Sequence, residues 1–231
     1  MRKDRDESIE VGSYFDRAAK AFDGLYSPHG QNAYMRWVNS RFRRDIAERF
    51  LLTMNLAQRT AAASVLDVGC GSGRYIAALA ESGVSRIVGL DLSVEMLGLA
   101  RLQTGKIAGA RIELVQGDFA AWSTNETFDL IIAMGFFDYV KDAGAVLDKM
   151  KTLSRGSVIA SFPSRHWFRT PLRRIRYRLK SCPVYFYGED QIEGLGRDAG
   201  FARTDLTKIK GAGMDYVATF WVGEPFSAVQ T

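Results

Sequence analysis

The sequence predicts an α/β fold in which a doubly wound, mostly parallel sheet carries helices on both faces. From Ser64 onward, short apolar runs alternate with stretches of helical periodicity, as expected of strands joined by crossover helices. The first apolar run leads into a glycine-rich turn, and acidic residues follow the next two runs. Ligands of such folds bind beyond the carboxyl ends of the strands, so these motifs all fall where a ligand is expected.

The residues before the first strand, 1–62, are expected to form a helical cap. Aromatic residues and alanines recur at helical spacing between Gly12 and Tyr26, and Ser13 is the expected N-cap of that helix. A second helix is expected from about Gln31 to Leu56, where apolar residues share one stripe.

The first strand and its turn carry the most informative motif, VLDVGCGSGRY, which begins at Val65. Asp67 lies on the strand, and glycines then occupy three alternate positions, Gly69, Gly71 and Gly73. Glycine has no Cβ, so the backbone can turn sharply and a ligand can lie against it. The helix that follows offers free N–H groups to anionic or polar ligand groups. The unit is typical of a site for a nucleoside-bearing cofactor, although such a turn can also serve packing alone.

Acidic residues at the ends of the second and third strands favour the cofactor interpretation. The second strand ends in Asp91, at the point where nucleotide-binding α/β folds use an acid to accept hydrogen bonds from ribose hydroxyls. The third strand leads to Asp118 and Phe119, an acid beside an aromatic ring. The glycine spacing is G-x-G-x-G rather than the dinucleotide pattern G-x-G-x-x-G, and Arg74 replaces the third dinucleotide glycine. This spacing counts against a dinucleotide oxidoreductase.

The alternation of strands and helices continues along the chain. The expected core elements, in order, are Val65–Val68, Tyr75–Ser82, Ile87–Leu90, Val94–Thr104, Ile112–Gln116, Leu130–Met134, Ala143–Leu153 and Val158–Phe162. After an insert, a helix is expected from Glu189 to Ala199 with Gly200 at its C-terminal end, followed by strands at Thr204–Ile209 and Tyr216–Val222.

The segments VLDVGCGSG, GLDLS, QGDF and FDLIIAM, in this order, resemble the class I S-adenosylmethionine-dependent methyltransferases. The resemblance covers Ser64 to about Pro163, with a weaker C-terminal match. It implies a seven-stranded Rossmann-like methyltransferase sheet over residues 63–231, whose last two strands form an antiparallel hairpin. It also implies S-adenosylmethionine as the cofactor, S-adenosylhomocysteine as the product, and an N-terminal cap that lies over the cofactor and substrate pocket.

The resemblance also implies roles for individual residues in the first two motifs. Asp67 and the turn from Gly69 to Gly73, which includes Cys70, would face the methionine part of the cofactor. Asp91 would bind the ribose hydroxyls, and Leu92 would flank the adenine. An alternative for Asp67 is a structural carboxylate that only orders the turn.

Further contacts are implied at the third and fourth strands and in the cap. Asp118 and Phe119 would bind the adenine amino group and ring, unless Phe119 simply packs in the core. Met134 and Tyr14 complete the expected cofactor contacts. Tyr26 is an expected substrate contact, although the tyrosines of the cap could equally pack their helix down.

Residues 164–187 form an insert, within which Arg165 to Lys180 reads RHWFRTPLRRIRYRLK. It contains six arginines, one lysine and no acid, and without these seven charges the formal net charge of +5 would become −2. Thr170 and Pro171 predict a helix start, and an apolar stripe follows. Three roles stay open: a solvated lid helix, a cap that attracts an acidic substrate through residues such as Arg165 and Arg169, and contact with an anionic membrane surface.

Methyl transfer from a sulfonium is an in-line displacement, for which the protein mainly has to align donor and acceptor. A general base helps when the acceptor is a hydroxyl or a protonated amine. His166, in the loop after the fifth strand, and His29 are the candidates for such a base, because a neutral imidazole can accept a proton.

The segment GFFDYV after the fourth strand supplies the other expected acceptor residues. By resemblance, Asp138 and Tyr139 occupy the acceptor-facing position and are candidate catalytic residues. Phe136 and Phe137 would form an aromatic wall, which favours a small organic acceptor. The segment lacks the Asn/Asp-Pro-Pro-aromatic motif that resembling base-amino methyltransferases carry, which disfavours a nucleic-acid substrate.

The composition bounds the remaining possibilities. The chain of 231 residues is 47% hydrophobic and 25% charged, which is ordinary for a globular protein. No apolar run is long enough to cross a bilayer, and the charged N-terminus does not resemble a secretory signal. We therefore expect a cytoplasmic protein, which the basic insert could bring into peripheral contact with a membrane. Two cysteines without C-x-x-C spacing and two histidines indicate no metal site.

We therefore expect O- or N-methylation of a small acidic or aromatic metabolite by a monomer or homodimer. The layout, with YFD near the N-terminus and a charged insert, is reminiscent of the magnesium-protoporphyrin O-methyltransferases. Methylation of a porphyrin carboxylate, a quinone or a lipid at a membrane surface is therefore an alternative. A non-catalytic S-adenosylmethionine-binding protein is another, although all three motif acids are present.

Overall fold

A seven-stranded sheet forms the centre of the computed structural model. The structure describes residues 9–16, 33–164, 184–209 and 215–224, and over 33–43 it describes only the backbone. The strands are β1 (Ser64–Val68), β2 (Arg86–Asp91), β3 (Arg111–Gln116), β4 (Phe128–Ala133), β5 (Ser154–Phe162), β6 (Arg203–Lys208) and β7 (Tyr216–Trp221). The helices are α1 over residues 9–16, α2 (Ala33–Arg59), α3 (Arg74–Glu81), α4 (Val94–Thr104), α5 (Ala143–Leu153) and α6 (Glu189–Asp198).

The strands lie in the order β3-β2-β1-β4-β5-β7-β6. The first five are parallel to one another, whereas β7 runs antiparallel to both β5 and β6. The order reverses direction between β1 and β4, which is where ligands of doubly wound sheets bind. The predicted fold class, including the antiparallel C-terminal hairpin, is confirmed.

Both faces of the sheet are covered, which explains why the central strands are apolar at consecutive positions. On β4, Leu130 and Ile132 belong to one hydrophobic cluster together with side chains of α2 and α3. Ile131 and Ala133 belong to a second cluster with side chains of α5 and α6. All four are fully buried, so the sheet is held between two separate apolar layers.

Two helices that begin beyond strand ends have side-chain caps. The Ser93 hydroxyl accepts a hydrogen bond from Met96 N at the start of α4, at 3.1 Å, and Asp142 Oδ1 accepts one from Ala145 N at the start of α5, at 3.0 Å. These caps satisfy backbone N–H groups that have no partner within their own helices. They also fix the point at which each helix leaves the ligand edge of the sheet.

The prediction for the N-terminal helix is wrong in one respect. Ser13 was expected to be an N-cap, but residues 9–16 are helical and Ser13 lies within them. Its N-cap pattern is therefore overridden by helical residues further upstream. Within the insert predicted at 164–187, Ser164 and Tyr187 are joined by a parallel bridge, and residues 165–183 lie outside the described residues.

Candidate functional site

The glycine turn between β1 and α3 has an unusual backbone in which Gly69, Gly71 and Gly73 have φ values of +73°, +52° and +78°. These values lie in the left-handed region that glycine adopts without steric cost. A Cβ on Gly73 would lie 2.9 Å from the Cβ of Ala100 on α4, so packing also demands glycine there. A Cβ on Gly71 would meet nothing within 4 Å. The turn therefore presents an open face at Gly71 and is packed against the protein at Gly73.

Hydrogen bonds to the end of β2 hold this turn in place. Gly69 N and Cys70 N both donate to Leu90 O, at 2.8 and 3.0 Å, and Gly71 N donates to Asp91 Oδ2 at 2.8 Å. The other Asp91 oxygen accepts from Ser93 N at 2.9 Å. Asp91, predicted from the sequence as a ribose ligand, thus also orders the glycine turn.

The Cys70 side chain points away from the open face of the turn. Its thiol is buried, and a Cβ on Gly89 of β2 would lie 3.1 Å from its sulfur. Among the predicted cofactor residues, Cys70 can therefore contribute backbone groups but not its sulfur. Met134, at the end of β4, is half-buried and packs against the cluster that contains Leu130.

Asp67 is a buried carboxylate with an unsatisfied oxygen. Its side chain is 1% exposed, and Oδ2 has no hydrogen-bond partner among the described residues. Burial, and secondarily the negative charge of Asp91, raises its pKa from 3.8 to about 8. A buried polar group without a partner is costly. A cationic N–H donor placed beside the glycine turn would satisfy this oxygen and favour its ionised form.

The carboxylate of Asp91 has a similar environment but is better satisfied. Burial raises its pKa, and the charge of Asp16 acts in the same direction, whereas the N–H groups of Ser93 and Gly71 lower it. Two acids, Asp67 and Asp91, thus lie close together at the ends of neighbouring strands, where hydroxyl and ammonium groups of a ligand would find acceptors.

The loop after β3 contains the predicted adenine ligands. Asp118 Oδ1 accepts a hydrogen bond from Ala120 N at 3.0 Å, and Asp118 O accepts from Ala121 N and Trp122 N, so residues 118–122 form one helical turn. Phe119 is 2% exposed, and its ring lies edge-on to that of Phe136, with 6.3 Å between centroids. Phe119 therefore packs in the core, which is the alternative that the sequence left open.

The turn after β4 corrects one prediction about the acceptor pocket. Phe136 is half-buried and lies over the glycine turn, where a Cβ on Gly69 would be 3.1 Å from its ring. Phe137, expected to form an aromatic wall with it, is fully buried and stacks on Phe162 with centroids 4.5 Å apart. The prediction is wrong for Phe137, because a 3-10 turn over Phe137–Tyr139 directs its ring into the core.

Helix α1 lies at the same edge of the sheet. Asp16 Oδ1 accepts a hydrogen bond from the Ser93 hydroxyl at 2.5 Å and one from Glu95 N at 3.4 Å, which ties α1 to the start of α4. The Phe15 ring lies edge-on to Tyr139, with centroids 5.2 Å apart, and Tyr14 stacks edge-on against Phe15 at the same distance. Helix α1 therefore contacts both the start of α4 and the turn after β4.

A partly buried charge cluster lies next to the turn after β4, and the sequence did not predict it. Arg49 of α2 forms an ion pair with Asp215, and its guanidinium also donates to Ser161 Oγ at 3.4 Å. The same hydroxyl accepts from Gly135 N at 2.8 Å, and Asp215 Oδ1 accepts from Ser164 N at 3.4 Å. The cluster thus joins α2, β5 and the start of β7 to the turn after β4.

Several predicted residues cannot be compared with the structure. Tyr26, His29, Arg165, His166 and Arg169 all lie outside the described residues. The described residues do bring together the predicted groups Asp67, Gly69, Gly71, Gly73, Asp91, Leu92, Asp118, Phe136, Asp138 and Tyr139 at the carboxyl edge of the sheet. Within the described residues, no cluster of three or more potential metal ligands occurs, and no helix has the length and apolarity to cross a membrane.

In a comparison with known protein families, residues 65–156 match a model described as a methyltransferase domain. This range begins at β1 and ends within β5, so it contains the glycine turn and the strand ends described above. Among curated proteins, the chain is 33% identical over 129 residues to trans-aconitate 2-methyltransferase of Azoarcus sp. (strain BH72), covering 54% of this chain and 49% of that protein.

A second relative is a ubiquinone biosynthesis O-methyltransferase of Nitrobacter winogradskyi, 28% identical over 171 residues, which cover 69% of this chain and 65% of that protein. The chain spans about half the length of the first relatives that it matches. Among solved structures, magnesium protoporphyrin IX methyltransferase from Synechocystis PCC 6803 with bound S-adenosylhomocysteine aligns with a TM-score of 0.71 at 20% identity, over 92% of this chain and 98% of that one. This last likeness concerns the fold.

Proposed function

We propose that the protein is a class I, S-adenosylmethionine-dependent enzyme that methylates a small organic acceptor, because residues 65–156 match a methyltransferase domain and the sheet has the order expected of that class. The observation that carries the proposal is the combination of an unsatisfied, buried Asp67 oxygen with an open face at Gly71. S-adenosylmethionine, when bound, supplies an activated methyl group on its sulfonium. S-adenosylhomocysteine would be the product.

The described residues fit this cofactor at each of its ends. Asp67 is the expected partner of the α-ammonium group, since its free oxygen requires a donor and its ionised form requires a positive charge. Each Asp91 oxygen accepts one backbone N–H and keeps a second lone pair for a ribose hydroxyl. Asp118, at the end of the next strand, is the expected acceptor for the adenine amino group.

The acceptor would lie between the turn after β4 and helix α1. Phe136 offers a half-buried ring next to the glycine turn, and Asp138 and Tyr139 follow it on the same turn. These side chains would hold the acceptor in line with the methyl group and exclude water from it, which is the main task of the protein in such a displacement. Asp138, Tyr139, His29 and His166 remain the candidates for a general base.

We propose an acidic or aromatic metabolite as the acceptor, methylated at oxygen or nitrogen. Two observations support this class: the arginines of the insert suit a carboxylate or phosphate, and similar proteins are named for trans-aconitate, ubiquinone biosynthesis and magnesium protoporphyrin IX. The enzyme would act in the cytoplasm as a monomer or homodimer. The seven positive charges of the insert also support a second proposal, in which it docks on anionic lipid to reach a membrane-borne acceptor.

Calorimetric titration with S-adenosylhomocysteine, and with NADH as the control, tests the cofactor. We expect micromolar binding of S-adenosylhomocysteine and none of NADH. Binding of NADH instead, by a folded protein, would contradict the proposal. A panel of acidic and aromatic acceptors, assayed by release of S-adenosylhomocysteine, then tests catalysis. Cofactor binding without turnover of any acceptor class would favour the non-catalytic alternative.

Liposome sedimentation distinguishes the two acceptor settings. Vesicles with and without anionic lipid are compared for wild type and for a variant in which Arg173, Arg174, Arg176 and Arg178 are replaced by glutamine. If the insert serves a membrane surface, only the wild type should sediment, and only with anionic vesicles. If it serves a soluble acidic acceptor, neither protein sediments and the variant raises the acceptor KM instead.

A further inference from the structure

Lys149, on helix α5, makes an unusual set of contacts with the loop after β3. Its ammonium group donates to the backbone carbonyls of Phe119 at 2.6 Å, Ala120 at 3.1 Å and Trp122 at a short distance. It also lies over the Phe119 ring, 4.9 Å from the centroid. A lysine ammonium has three N–H donors, so these three carbonyls use its full donor capacity.

The three carbonyls belong to the helical turn formed by residues 118–122. The N–H groups of Ala121 and Trp122 donate to Asp118 O, and the turn then ends. Carbonyls at the end of a helical turn have no following N–H group to bind. The Lys149 ammonium takes the place of those missing donors. It is half-buried, and this burial lowers its pKa, while the charge of Asp118 opposes the shift.

The same turn determines where the Asp118 carboxylate points. Asp118 Oδ1 accepts from Ala120 N at 3.0 Å, so the orientation of the side chain depends on the backbone that Lys149 binds. The Phe119 ring fills the space between Lys149 and Phe136 and so fixes the turn from its other side. Displacing the Lys149 ammonium would leave three carbonyls without donors and would free the turn to change conformation.

We propose that Lys149 is a positioning residue that fixes the Asp118 carboxylate for recognition of the adenine amino group. This inference rests on the proposed function, because it assumes that the loop after β3 receives adenine. Lys149 acts through the backbone of the turn and does not touch the ligand. Its removal should therefore reduce discrimination at position 6 of the purine, rather than weaken all parts of the cofactor equally.

The test compares two ligands that differ at that position. S-adenosylhomocysteine carries a 6-amino donor, whereas S-inosylhomocysteine carries a 6-oxo acceptor that a carboxylate repels. Wild type should bind S-adenosylhomocysteine at least about tenfold more tightly than S-inosylhomocysteine, which corresponds to the lower end of what a hydrogen bond to a charged group contributes. Lys149→Met should reduce this ratio to threefold or less. Lys151→Met, two residues along the same helix, is the matched control and should keep the wild-type ratio.

The outcomes separate this inference from the proposed function. Failure of folded wild type to bind S-adenosylhomocysteine would overturn the proposed function. Binding by wild type with an unchanged ratio in Lys149→Met, or with no discrimination in wild type, would overturn only the role of Lys149. If Lys149→Met does not fold, Lys149→Gln decides the matter, because its neutral amide has only two N–H donors for the three carbonyls. A wild-type ratio in Lys149→Gln would also overturn the inference.

Discussion

Binding of S-adenosylhomocysteine should strengthen as the pH rises from 6 to 8, because Asp67 must lose a proton to pair with the α-ammonium group. In the unliganded protein, burial raises the pKa of Asp67 to about 8. The carboxyl is then roughly 1% ionised at pH 6 and about half ionised at pH 8, so the affinity should rise by up to roughly fifty-fold across this range. Titration calorimetry at pH 6, 7 and 8 measures the change.

The sign of this effect is set by which state holds the proton. The free protein keeps a proton on Asp67 below pH 8, whereas the complex with a cationic ligand favours the ionised form, so binding releases a proton. The released proton is detected directly as a difference in apparent binding enthalpy between buffers that have different ionisation enthalpies. Its number should approach one at pH 6 and about one half at pH 8.

Two variants make the prediction specific to Asp67. Asp67→Asn cannot ionise, so its affinity should be nearly independent of pH and no proton should be released. Asp129→Asn is the matched control, since that carboxylate binds Ser64 and Arg155 at the opposite edge of the sheet and its pKa is lowered rather than raised. A flat pH profile in wild type, or the wild-type slope in Asp67→Asn, would refute the pairing of Asp67 with the ammonium.

The stability of the free protein should change with pH in the opposite direction. A carboxyl whose pKa is raised on folding binds its proton more tightly in the folded state, so its contribution to stability declines as the pH rises from about 4 to about 8. Urea denaturation should therefore show that Asp67→Asn gains stability relative to wild type as the pH increases through this window. Saturating S-adenosylhomocysteine should reduce that difference.

Three further substitutions test the other contacts. Gly73→Ala should lower the free energy of unfolding, measured by urea denaturation, by roughly 2–3 kcal/mol, because the position has a positive φ and contacts α4. Gly71→Ala should lower it by only about 1 kcal/mol, because a Cβ there meets no neighbour. It should nevertheless weaken the binding of S-adenosylhomocysteine at least about tenfold, because the methyl group fills the open face of the turn. Phe137→Ala should cost about 3–5 kcal/mol of stability as a core deletion, and a change confined to acceptor KM would contradict its burial. Asp16→Ala should lower the hydrogen-exchange protection of residues 9–16 and weaken S-adenosylhomocysteine severalfold; unchanged protection would argue against the tie to α4.

The sequence predicted the sheet well because each strand and each motif acid has a local signal. The helices expected at Val94–Thr104 and Ala143–Leu153 have those bounds in the structure, and their capping residues immediately precede them. The glycine turn was recognised because its backbone conformation requires a particular residue type. Such features depend on a few neighbouring residues, which is the range over which a sequence pattern is informative.

The parts that the sequence did not predict depend on contacts between distant residues. Arg49 and Asp215 are separated by 166 positions, and nothing near either residue indicates the other. Phe136 is half-buried whereas Phe137 is fully buried. This difference follows from the direction of a single 3-10 turn, which the hydrophobicity of the two residues does not encode. In the sequence, Lys149 has the pattern of any charged residue on a helix. Its contacts with the loop after β3 form only when α5 packs beside that loop.

The position of β7 inside the sheet has a consequence for the order in which the molecule can assemble. Strand β6 is made before β7, but among the described strands it pairs with β7 alone, and β7 in turn covers the edge of β5. During synthesis the apolar edge of β5 therefore stays open until Tyr216–Trp221 has left the ribosome, and it is exposed to pairing with other chains. Asp215, the residue directly before β7, then brings its charge to Arg49, so the ion pair that ties α2 to β7 also forms in this late step.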